Sequence, residues 1–96
     1  MSEGNFFKLF RRRGFSETMG ILDSFENDEC VQAKFFEKLS AENSYPNTYF
    51  RVKNELLQND LIAYKLNANN EKVIYLTNRG KKVWNLVQDI ENVLTV

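Results

Sequence analysis

Apolar residues recur along the chain at helical spacing in most stretches and in dense β-rich runs in two others, and the changes between them outline the elements. Phe6, Phe7, Leu9 and Phe10 come first, followed by three arginines, and predict a short helix or arm over 6–13 that Gly14 breaks. Ser16 is a suitable N-cap, with Glu17 favourable in the first turn. It opens a helix to about residue 25, where Met19, Leu22 and Phe25, with Ile21 beside them, form one buried stripe. "ENDE" closes it. Residues 29–32, "ECVQ", read equally as a short strand or as the lead into the next helix. From 33 to 41 Phe35, Phe36 and Leu39 fit a helix with Lys34, Glu37 and Lys38 outside, and "SAENSY" follows as a polar turn.

Pro46 sits where proline is welcome, in the first turn of a helix, because its missing N–H would have had no partner there. At about 100° per residue, Tyr49, Val52, Leu56 and Leu57 of helix 46–59 fall within about 140° of one another, with Phe50 at the margin. Asn47, Arg51, Asn54, Glu55 and Gln58 fall on the opposite side, and Lys53, inside the apolar arc, must carry its ammonium to the edge. Leu61, Ile62, Tyr64 and Leu66 make one β-rich run and Val73, Ile74, Tyr75 and Leu76 another. Between them "NANNE" tolerates the positive φ of a tight loop, and Lys65 and Lys72 flank it at a spacing that can place both on one side. Thr77 caps a last helix in which Val83, Leu86, Ile90 and Val93 repeat, Val87 and Leu94 widen the stripe, and Trp84 adds a large ring. So wide a stripe needs residues 16–25 of its own chain to cover it, or a second chain, or both.

The chain has 96 residues, 43% of them hydrophobic and eight of them Phe, which is enough for one domain with a modest core. No stretch approaches the ~20 apolar residues of a membrane span, and the start is too short in its apolar part for a secretory signal. A soluble, intracellular (cytoplasmic) protein without membrane partner is expected. Cys30 is the only cysteine, either a small buried side chain or a bridge to the same residue of a second copy. The absence of histidine removes the commonest general base and metal ligand. No phosphate-binding glycine loop or paired-cysteine motif appears. The expectation is therefore no enzyme, no metal and no cofactor.

The formal net charge is zero, but it is segregated. Residues 1–13 carry +3, residues 17–42 carry −5 and residues 43–82 carry +4, so one face can be basic. The outer face of helix 46–59 is also rich in Asn, Gln and Arg, whose paired donors and acceptors or planar fork suit base edges. Ordinary solvated faces lean on Glu and Lys.

Helix, helix, turn, helix, hairpin, helix is the order of an α+β winged helix-turn-helix: a three-helix core, a C-terminal-side β-hairpin wing and an additional terminal helix. "LLQNDLIAY" resembles the L-x-x-x-G-L-I junction of such proteins, with Asp60 where glycine is usual, and "LTNRGKKVWNLV" resembles their Leu-Thr-x-x-Gly start of the closing helix. Over residues 16–94 the chain is similar to MarR-like and PadR-like regulators and to small winged-helix proteins of archaeal viruses. The resemblance implies a dimeric transcription factor binding double-stranded DNA, with recognition helix 46–59 in the major groove and wing 61–77 on the backbone or minor groove. Asn47, Thr48, Arg51, Asn54 and Gln58 would then lie near base edges, and Lys53, Lys65, Lys72, Asn69 and Asn70 near phosphates. Residues 1–15 would form an N-terminal arm or short helix and 16–96 the winged-helix domain, with 78–94 a dimerisation helix using Val83, Trp84, Leu86, Val87, Ile90, Val93 and Leu94. Arg11, Arg12 and Arg13 are either an arm against DNA or a solvated cluster. The alternative is a winged-helix protein–protein interaction module without DNA binding, which the neutral total charge and Phe-rich start favour.

Overall fold

The computed structural model describes residues 5–42 and 45–95; Asn43 and Ser44, inside the expected polar turn, lie outside the described residues, as do residues 1–4 and 96. In chain order come α1 (Asn5–Phe10), α2 (Arg13–Ser24), one 3-10 turn (Glu26–Asp28) and β1 (Glu29–Val31). They are followed by α3 (Gln32–Ala41), α4 (Pro46–Gln58), β2 (Ile62–Leu66), β3 (Lys72–Leu76) and α5 (Asn78–Leu94). The architecture is α+β.

The expected break at Gly14 is displaced. Gly14 is the second residue of α2, and the chain turns at Arg11 and Arg12 instead. The reason is tertiary: a Cβ on Gly14 would lie 2.2 Å from the carbonyl oxygen of Thr48. Glycine stands there because the backbone of α4 passes in contact, so Ser16 is an exposed residue within the helix rather than its cap. The short helix before it is packed on the domain, since Leu9 is buried in the common core and the Phe10 ring meets Phe15 edge-on at 5.7 Å.

"ECVQ" resolves into strand β1 followed directly by α3. β1 pairs antiparallel with the free edge of β3, giving a three-stranded sheet in the order β1-β3-β2. Cys30, Ile74 and Tyr64 form one row across it. Ile62 and Leu76 continue the same face, and the row packs with Phe15, Met19 and Leu22 of α2, Phe35 and Leu39 of α3, and Tyr49, Val52 and Leu56 of α4. Each such apolar side chain contributes about 1.5–3 kcal/mol on burial, so this one cluster carries the fold. Cys30 lies within it, and burial first and Glu29 second raise its thiol to about 11.

Every positive φ among the described residues falls on Asn or Asp: Asn27, Asp28, Asp60 and Asn70. These short polar side chains tolerate the left-handed region best after glycine. Asp60, at φ 58°, makes the turn from α4 to β2 where the resembled junction has glycine. The Thr77 backbone N–H donates to Leu61 O at 3.1 Å and its hydroxyl donates to Asp60 O at 2.5 Å. The same hydroxyl accepts from the Gly80 N–H at 2.9 Å, capping α5. A Cβ on Gly80 would lie 1.9 Å from Leu61 O, so Thr and Gly three residues apart let the helix start touch the strand start.

The expected interface stripe of α5 is divided. Trp84 meets Phe15 edge-on, with ring centroids 6.1 Å apart, and Trp84 and Val87 belong to the core of their own chain, with Val83 packed against it. Leu86, Ile90, Val93 and Leu94 stay 56%, 55%, 74% and 75% exposed. The basic residues at the start of α5, unfavourable for the helix dipole, find one structural use: the Lys81 ammonium pairs with Asp23, and with Asp28 at 3.0 Å, tying α5 to the end of α2. Those hydrogen bonds raise the Lys81 pKa.

Candidate nucleic-acid interface

Helix α4 is anchored by Tyr49, Val52 and Leu56, which are fully buried, and this orientation turns Asn47, Arg51, Asn54 and Gln58 to the surface. Thr48 lies part-buried at the margin of that face. The expected division of the helix into core and outer arcs holds, with Phe50 half-exposed against Phe36 of α3 at 5.7 Å. Tyr49 sits edge-on to Phe35 at 4.9 Å, and its hydroxyl bonds to that of Tyr64 on β2. Burial is the main cause that raises both tyrosine pKa values, so both rings are neutral at physiological pH and the O–H···O bond fastens α4 to the hairpin.

Two ammonium groups gather at that junction. Lys53 Nζ lies 5.4 Å and Lys72 Nζ 5.7 Å from the centre of the Tyr64 ring, distances at which a cation is attracted by the ring face. Among the described residues neither has a carboxylate partner, and Lys53 also lies 5.9 Å from the Phe50 ring, which is how its stem crosses the apolar arc. Lys65 is elsewhere. The register Leu66↔Lys72 and Lys65↔Val73 puts the two hairpin lysines on opposite faces, against the expectation that they share one, because residues adjacent along a strand alternate in direction. Lys65 is held by Glu29 at 2.7 Å and lies over Tyr75.

Asn69 and Asn70 are exposed at the hairpin tip. The residue that builds the tip is Asn67, whose Oδ1 accepts from the N–H groups of Asn69 and Glu71, both at 2.9 Å. The preference of Asn for such local side-chain-to-backbone bonds is the one sequence signal for this role. Tyr64 as a link to α4 and Arg12 as a clamp on it leave no mark in the local sequence pattern: Arg12 donates to the Arg51 backbone carbonyl at 2.7 Å and pairs with Glu55 at 3.1 Å. Among the described residues no group of three or more His, Cys, Asp and Glu could hold a metal ion, and no helix is long and apolar enough to cross a membrane.

Two solved structures resemble this one over nearly its whole length. A PadR-like transcription factor from Bacteroides fragilis superposes with a TM-score of 0.65 at 17% identity, covering 96% of this chain and 93% of that one. The fold is a winged helix-turn-helix. A PadR family transcriptional regulator from Eggerthella lenta shares the winged helix with a TM-score of 0.61 at 20% identity, covering 93% of this chain and 82% of that one. No family model and no curated protein matches the chain. At such identities the likeness is one of fold, and it agrees with the PadR-like resemblance carried by the wing junction and the Leu-Thr-x-x-Gly motif. Within the winged helix, α4 is the last helix before the β2–β3 hairpin, which is the wing.

Proposed function

We propose that this protein is a sequence-selective double-stranded DNA-binding transcriptional regulator, with α4 in the major groove and the β2–β3 wing on the adjacent backbone or minor groove. One observation carries the reading. The exposed side of α4 presents Asn47, Arg51, Asn54 and Gln58, flanked on the wing side by Lys53 and Lys72, which have no carboxylate partner among the described residues. The planar fork of Arg51 suits guanine O6 and N7, and the amides of Asn54 and Gln58 suit adenine N6 and N7. Lys53 and Lys72 supply phosphate contacts, with Asn69 and Asn70 at the wing tip. Lys65, on the other face and engaged by Glu29, is left out of that set.

The functional unit in this reading is a homodimer. The support is the run of Leu86, Ile90, Val93 and Leu94, exposed on one helix, an apolar surface that a monomer rarely leaves uncovered. Trp84 and Val87 hold the helix to its own domain and take no part.

Fluorescence anisotropy with labelled duplexes tests the DNA reading. Arg51→Ala lowers affinity by about 1–3 kcal/mol and relaxes preference at one base pair. Lys72→Ala weakens all duplexes alike and lowers the salt slope by about one. A chain that binds no duplex at low salt sinks this reading and leaves the protein–protein interaction module.

A further inference from the structure

Arg12, Arg13 and Arg51 wall an open cleft of about 560 Å³ between the start of α2 and the first half of α4, completed by Gly14, Thr48 and Val52. Beside it α2 and α4 meet at Gly14, where a Cβ would lie 2.2 Å from the Thr48 carbonyl oxygen. With α2 pressed onto the Thr48 carbonyl, the two residues before Gly14 stand beside α4 and line one cleft with Arg51.

The three cations are held differently. Arg12 is pinned by the Arg51 carbonyl at 2.7 Å and by Glu55 at 3.1 Å. Arg13 pairs with Glu17 one turn on, and its side chain is still 67% exposed. Arg51 has no carboxylate partner among the described residues and is exposed. Three guanidinium groups against two carboxylates leave an excess of positive charge; with the Arg51 fork given to a base edge, the phosphate contact falls to Arg13, 67% exposed against 51% for Arg12. The half-exposed Arg12–Glu55 pair contributes only about 0–1 kcal/mol, while the Glu17 carboxylate is 14% exposed; Glu55 meets Arg12 through Nη1 and Glu17 meets Arg13 through Nε, leaving further N–H donors on each fork. A planar fork with several N–H donors matches the oxygens of a phosphate, which accept two parallel bonds.

The position of the cleft gives the ligand. On α4, Thr48 and Glu55 face α2, whereas Phe50 and Lys53 face α3 and the wing, so the cleft and the Lys53–Lys72 pair lie on opposite flanks of one helix. A helix lying in a groove of duplex DNA has a phosphate strand on each side. We infer that the arginine cleft takes phosphodiester groups of the strand bordering the groove on the side away from the wing, so that α4 is gripped from both edges. This rests on the DNA-binding reading above.

The test is a salt titration of binding to random-sequence and sequence-matched duplexes by the full chain, its Arg13→Ala and Arg13→Lys variants, and Lys72→Ala alongside. Arg13→Ala is expected to weaken every duplex by roughly 3- to 10-fold near 0.1 M salt and to lower the log–log salt slope by about 0.9, the share of one phosphate. Arg13→Lys restores most of the slope, and its thermal melt matches the parent, since a cation still faces the Glu17 carboxylate, whose side chain is only 14% exposed. Parent-like binding and slope in Arg13→Ala, with Lys72→Ala still impaired, overturns the cleft and leaves the DNA reading standing. A loss confined to one duplex sequence also overturns it, because that is base readout. If the parent chain binds no duplex at all, both ideas fall together.

Discussion

Thr18 is wholly buried in α2, and among the described residues its hydroxyl is the one buried side-chain polar atom without a hydrogen-bond partner. A buried, unsatisfied polar group costs about 1–3 kcal/mol, and replacing it by an apolar group of the same shape removes that cost. Thr18→Val is therefore expected to stabilise the fold by about 1 kcal/mol, raising the melting temperature by roughly 4–8 °C in a scanning calorimeter. An unchanged or lower melting temperature would mean that the hydroxyl is satisfied in solution. Gly14 and Gly80 show the opposite situation at the same scale. Each is needed because a backbone carbonyl occupies the place of a Cβ, that of Thr48 and that of Leu61. By local pattern the first reads as a helix breaker, because a close approach between residues far apart in the chain leaves no mark there. The second was legible as part of a motif.

Between elements, much of the order was readable. Pro46 and the arcs of α4, the two β-rich runs around the asparagines, and the Thr77 cap all state local preferences that the packing keeps. Three residues cannot declare strand β1 by pattern alone; β3 supplies the hydrogen-bonding edge that makes it one. The faces of Lys65 and Lys72 were wrong for a related reason, as loop spacing does not fix the pairing register. At the candidate interface, the outer face of α4 was legible from its period and composition, whereas the bond between Tyr49 and Tyr64 needs the fold to bring positions fifteen apart together. Tyr64→Phe leaves the Tyr49 hydroxyl buried without its partner and should cost about 1–3 kcal/mol, with much of that loss regained in the Tyr49→Phe, Tyr64→Phe double variant. Urea unfolding of the four chains measures it, and strict additivity would show that the hydroxyl pair contributes nothing.

For the molecule as a whole, the exposed end of α5 and the alkaline limb of stability are the two quantities to measure. Ile90→Asp places a charge at the proposed contact between copies and should yield monomer by light scattering, with weaker DNA binding since the second half-site's contribution is lost. A dimer that survives the change puts the contact elsewhere, with exposed Phe7 the next candidate. The pH dependence follows from the sign of the shifts. Cys30 rises from 9.0 to about 11, and Tyr49, Tyr64 and Lys81 are raised as well. A raised folded-state pKa lets the unfolded chain lose its proton first, so stability is fully present below about pH 9 and falls as pH climbs through the folded values. Cys30 alone accounts for about 2–3 kcal/mol of that fall by pH 11. Cys30→Ala should flatten this part of the limb in urea titrations, and an unaltered limb would assign the loss to the tyrosines. With no histidine in the chain, the same measurement between pH 6 and 8 should be level.

Helix α5 leaves the core without a break: Trp84 and Val87 are gripped by the domain, and Ile90 and Val93 come free within the next two turns. Whatever holds the free end thereby holds the domain through a rigid spoke, with no swivel between. Rotation about that spoke is set by residue count, about 100° for each residue, along with an advance of about 1.5 Å. In the proposed dimer the mutual orientation of the two copies would thus be available only in discrete steps: one residue more or fewer between Val87 and Ile90 would swing the gripping face by more than a quarter turn.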